Sequence, residues 1–134
     1  MLNFKNFFGS FRYAFRGLKR ALCYEQNFQF QLIMGVLILI LSFYFNLRIW
    51  EKITLILVVS AVLVLELINA AFEKLSDILK PRIHIYIEEI KDILAGTVLI
   101  ASIAALIIGL LIFWPYFFGW FVLKLVFLYN KISF

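Results

Sequence analysis

Three windows almost free of charge limit what this chain can fold into. Phe28 to Leu47 carries no charged residue over twenty positions, Ile93 to Phe113 none over twenty-one, and Ile53 to Phe72 only Glu66. Each window makes about 30 Å of helix, the thickness of a bilayer's hydrocarbon core. The chain has 134 residues, is 65% hydrophobic and has a mean hydropathy of +1.01. A water-soluble domain of that size could not hide so much apolar surface, so the bilayer is the solvent. In a bilayer every backbone polar group must be satisfied within its own segment, which makes the windows helices. The expected fold is a single all-α membrane domain with transmembrane helices over 28–47, 53–72 and 93–113.

Residues 1–27 have a different pattern. Phe4, Phe8, Phe11, Phe15, Leu18 and Leu22 recur every three or four positions, with Lys5, Arg12, Arg16, Lys19 and Arg20 among them. That periodicity predicts an amphipathic helix lying in the membrane interface on a basic face. The stretch is broken by charge and lacks a small-residue cleavage site, so it does not read as a cleavable signal. The formal charge of +5 is explained by anionic lipid headgroups rather than by nucleic acid. Cys23, the single cysteine, makes no internal disulfide.

Nine basic residues lie in the N-terminal segment and the 73–92 loop, against four in the 48–52 turn and the C-terminal tail. The positive-inside rule then puts the N-terminus and the long loop in the cytoplasm. The tail, 117–134, is interrupted by Lys124 and is expected as an interfacial helix beyond Trp114-Pro115-Tyr116. Gly96 and Gly109 are expected where helices pack closely.

The second window ends in ELINAAFEKLSD, which places Glu66, Asn69, Glu73 and Asp77 at helical spacing. On a helix those four fall within a stripe about 80° wide and about 16 Å long. An acid within a span costs on the order of 2.5–3.5 kcal/mol near the bilayer centre, so Glu66 needs a reason to be there. Glu25 precedes the first span, and Lys91 and Asp92 precede the third, all at the same end. Carboxylates converging from separate helices, with one histidine and no cysteine cluster, suit a hard cation such as Mg²⁺ bridged to phosphates. A lysine there neutralises phosphate charge, and a carboxylate near lipid depth takes a proton from an alcohol. The sum is phosphoryl transfer from a nucleotide to a lipid hydroxyl. An ion-conducting oligomer or a non-catalytic scaffold held by a polar stripe uses the same residue types. No GxxxxGK[ST], GxGxxG or DFG occurs, so a nucleotide site has to be built from the ends of membrane helices.

ELINAAFEKLSD resembles the ExxNxAxExxxD signature of the prokaryotic diacylglycerol kinase and undecaprenol kinase family. His84 and Lys91-Asp92 follow as in that family's H…KD segment, and FRYAFRGLKRAL with Glu25-Gln26-Asn27-Phe28 resembles its N-terminal motifs. The resemblance covers roughly residues 11–115. It implies a homotrimer of three-span subunits, each with an N-terminal surface helix, in the bacterial inner membrane. The implied activity is transfer of the ATP γ-phosphate to a lipid alcohol, in phospholipid or cell-envelope lipid recycling. By this likeness Glu66 is the catalytic base, Glu25 and Glu73 hold Mg²⁺, and Asn69, Asp77, Lys91 and Asp92 serve the nucleotide site, with Tyr13 and His84. Gln31 stands where members often have an acid or a histidine. Asn27 before Phe28, and Pro81 before His84, favour undecaprenol as the acceptor, with diacylglycerol next.

Overall fold

The computed structural model describes residues 4–79 and 84–132, with side chains over 9–78 and 86–122. These residues form α1 (Phe4–Tyr24), α2 (Gln26–Tyr44), α3 (Ile49–Leu79) and α4 (His84–Ile132), and no strand occurs among them. Segments Gln26–Tyr44, Ile49–Ile78 and Tyr86–Val122 are long and apolar enough to cross a membrane. The expected all-α membrane architecture is therefore present: a strongly amphipathic first helix and three spanning helices. Pro81 and the rest of 80–83 lie outside the described residues. So do the side chains of Phe4, Lys5, Phe8, His84 and Lys124.

Helix α3 packs against both α2 and α4, and α1 packs against α2. The chain's own core is thin: Phe28, Leu47, Leu55, Ala70 and Val98 are buried, while most large apolar side chains of α4 face outward. Outward apolar surface is what a helix surrounded by lipid or by other spans presents.

Local chemistry sets the helix ends. The α2–α3 turn closes as a Schellman motif: Leu47 N–H donates to Ser42 C=O at 3.1 Å and Asn46 N–H to Phe43 C=O at 3.1 Å. Asn46 takes φ 52°, a left-handed conformation that asparagine tolerates better than most residues. Arg48 then caps α3, its N–H donating to Glu51 Oε2 at 2.7 Å, the reach-back half of a capping box. With that cap, α3 begins at Ile49, four residues before the charge-free window. The hydroxyl of Tyr116 donates to the same Glu51 oxygen at 2.5 Å and ties α4 to this end of the molecule.

Three expectations need correction. Helix α3 runs to Leu79 and α4 starts at His84, so most of 73–92 is helix rather than loop. Helix α4 runs without interruption through Trp114-Pro115-Tyr116 to Ile132, so 117–132 is not a separate helix. Proline removes one N–H donor, and membrane helices absorb that loss. The close helix contact is at Gly35, where an added Cβ would lie 2.6 Å from Val59 Cγ1. Added Cβ atoms at Gly96 and Gly109 would meet nothing within 4 Å in the chain.

Candidate active site

Because α3 is continuous from Ile49 to Leu79, the acid-and-amide stripe lies along one helix. Its deeper half is buried, with Glu66 4% exposed and Asn69 6%. The first turns of α2 face it. Gln31 Nε2 donates to Glu66 Oε2 at 3.2 Å, and Asn27 lines the same pocket as that carboxylate. Asn27 and Gln31 are four residues apart, so a single face of α2 presents both amides. These four polar residues form one wall of a cavity of about 220 Å³, closed on the α4 side by Ala95, Val98, Leu99 and Ser102. Gln31 Oε1 and Asn69 Oδ1 are buried there without a hydrogen-bond partner among the described residues.

The other charged residues lie outside this pocket's lining, and Glu25 and Lys74 line a second one with Arg20. Glu25 is the one residue between α1 and α2, with φ −104° and ψ 102°, so the helix break itself places its side chain. Gln29 Nε2 supports the break by donating to Leu22 C=O at 2.7 Å, which satisfies a carbonyl at the end of α1. Glu25 Oε1 pairs with Lys74 Nζ at 2.6 Å, and Glu73 Oε1 lies 3.9 Å from Lys91 Nζ. Glu73 lies two turns beyond Glu66 on α3, and Glu25 reaches α3 through Lys74, so the α1–α2 junction and α3 both bring carboxylates to this end of the molecule.

The expected residues thus divide. Glu25, Glu66, Asn69, Glu73 and Lys91 come together at one end of the spanning helices. Asp77 is exposed near the end of α3, and Asp92 is exposed beside Lys91. Tyr13 is 69% exposed on α1, with the Arg16 guanidinium 5.7 Å from its ring centroid. His84 opens α4. Sequence reasoning missed the roles of Asn27 and Lys74. The four-residue spacing of Asn27 and Gln31 at the start of a span was the available signal. The reach of Lys74 to Glu25 is tertiary and leaves no trace in local sequence.

The donor set fits a hard divalent cation of a particular kind. Among the described residues no three acidic, histidine or cysteine side chains stand together as a self-sufficient metal cage. Two partly exposed glutamates, Glu25 and Glu73, instead suit an ion that keeps water and takes phosphate oxygens as its other ligands.

Comparison with known proteins agrees with this chemistry. The chain is 37% identical over 109 residues to an undecaprenol kinase of Bacillus subtilis, covering 81% of this chain and 89% of that protein. It is 34% identical over 105 residues to a diacylglycerol kinase of Synechocystis, covering 78% of this chain and 60% of that longer relative. Residues 12–113, which hold the whole acid stripe, the α1–α2 junction and Lys91-Asp92, match the prokaryotic diacylglycerol kinase family. The chain belongs to that family and is an integral membrane lipid kinase.

Proposed function

We propose that this kinase phosphorylates undecaprenol, working as a homotrimer in the bacterial inner membrane with its N-terminus and active site cytoplasmic. The observation that carries the mechanism is Glu66: a carboxylate 4% exposed, beside a cavity, hydrogen-bonded by the neutral amide of Gln31. A cationic partner would hold its charge and weaken it as a base; amides orient it and leave it able to accept a proton. Glu66 takes the proton of the lipid hydroxyl as the alcohol oxygen attacks the ATP γ-phosphorus and ADP leaves. Glu25 and Glu73 would hold Mg²⁺, which when bound would neutralise charge on the phosphates. Lys91 adds positive charge there, and Asn69, Asp77 and Asp92, with Tyr13 and His84, bind the rest of the nucleotide. Diacylglycerol is the runner-up acceptor. The choice of undecaprenol rests on Asn27-Phe28 and on a relative of that name matched over 89% of its length.

Purified protein in lipid, given labelled ATP and equal mole fractions of undecaprenol and diacylglycerol, tests this. A higher kcat/KM for undecaprenol is expected; a preference for diacylglycerol would overturn the acceptor and leave the kinase intact. Glu66→Gln should keep assembly and nucleotide binding while lowering turnover about 10²–10⁴-fold. Wild-type turnover in that variant would remove Glu66 as the base.

A further inference from the structure

We infer that Gln31, with Asn27, is the positioning device for Glu66. This inference rests on Glu66 being the base. The two amides lie one turn apart on α2 and meet a carboxylate carried by α3, 35 residues away from Gln31 in sequence. The donor is charge-free, whereas the charged groups acting on Glu66, namely Glu73 and Glu25, have its own sign. The lysines nearby are engaged elsewhere, Lys74 with Glu25 and Lys91 with Glu73. A carboxylate offers about four lone-pair sites, so the Gln31 donor, with Asn27 beside it in the pocket wall, orients it and leaves room for a substrate hydroxyl. Gln31 therefore acts through Glu66 rather than on the phosphates.

The cavity supports this division. Gln31 and Glu66 share its wall with Asn69, and α4 contributes only small or apolar groups apart from Ser102. Without an amide donor, Glu66 would rotate about its terminal torsion, a broad and nearly two-fold well, and present its oxygens at random. Productive geometry requires the accepting oxygen within hydrogen-bond reach of the alcohol.

A double-mutant cycle on the assembled kinase in lipid decides the matter. Gln31→Met keeps length and removes the N–H; it should lower kcat by about 10–100-fold, the range expected for one hydrogen bond to a charged group. KM for ATP should stay within about twofold, and Gln31→His, which retains an N–H donor, should recover most of the loss. In the Glu66→Gln background Gln31→Met should cost less than about twofold more, because the group it positions is gone. The same full loss in both backgrounds would assign Gln31 a merely structural role and overturn the inference. A Glu66→Gln enzyme with wild-type kcat would instead remove the base itself, and this inference with it. Asn27→Leu completes the same cycle should Gln31→Met not assemble, with the same two readings of its outcome.

Discussion

Gly35→Ala is a methyl-sized perturbation whose effect follows from the close approach of α2 and α3. The new Cβ would sit 2.6 Å from Val59 Cγ1, while Val59 Cβ, at 3.8 Å, is at ordinary contact distance. Carbon atoms settle at about 3.5–4.0 Å, so the two helices must part locally by roughly 1 Å or the valine must turn. Valine in a helix has one strongly preferred rotamer, which closes the second route. Overpacking of this kind costs about 1–3 kcal/mol, and the helix preference for alanine over glycine returns roughly 1 kcal/mol. A net loss of up to about 2 kcal/mol is expected. The consequence for activity is larger than that figure suggests. Gly35 is one turn beyond Gln31 on α2, and a 1 Å parting stretches the 3.2 Å Gln31–Glu66 hydrogen bond past its useful range. Unfolding in micelles should show the lost stability, and steady-state kinetics should show kcat falling severalfold with KM for ATP unchanged. Val59→Ala removes the obstructing methyl and should restore kcat in the double variant. A Gly35→Ala protein with wild-type stability and wild-type kcat would refute the close approach and its link to Glu66.

Glu25→Ala and Glu73→Ala should each raise the Mg²⁺ concentration for half-maximal activity by about tenfold or more, since even residues that only support metal ligands cost that much. An unchanged Mg²⁺ requirement in both variants would take them out of the metal site. Lys91→Ala should raise KM for ATP about tenfold while leaving KM for the lipid unchanged, because its charge acts on phosphate. Tyr116→Phe should lower stability by removing a hydrogen bond to a carboxylate, read as a lower unfolding midpoint in micelles. Its kcat should be normal, since Glu51 and Tyr116 sit at the opposite end of the spans from Glu66. A loss of turnover would contradict that placement.

The spans and the acid stripe were legible in the sequence because each rests on a local rule, absence of charge over a bilayer's thickness and helical spacing. Glu66 stood out because an acid within an apolar run has few reasons to be there. What supports Glu66 was harder to read. Asn27 and Gln31 meet it only through the packing of α2 on α3, and the sequence alone left Gln31's contact open. Helix ends were misjudged where a cap or an aromatic run outweighed composition. Glu51 capping Arg48 lengthens α3 upstream. At the other end, Pro115 does not stop α4. The packing glycine was misjudged for a similar reason: Gly35, Gly96 and Gly109 all sit in apolar runs, and only the partner helix distinguishes them.

The single-residue joint at Glu25 gives α1 the mechanics of a lever. The 21 residues of α1 extend about 31 Å from that fulcrum. A tilt of about 10° at the joint would move the far tip by about 5 Å, while a carboxylate at the pivot is displaced by a small fraction of that. As the bilayer surface undulates or thins, the N-terminal end can follow it with little movement of the glutamate at the fulcrum. Shortening α1 from its free end would thus leave Glu25 in place. Inserting one residue at the joint would rotate the whole of α1 by about 100° about its axis and so change which of its faces meets α2.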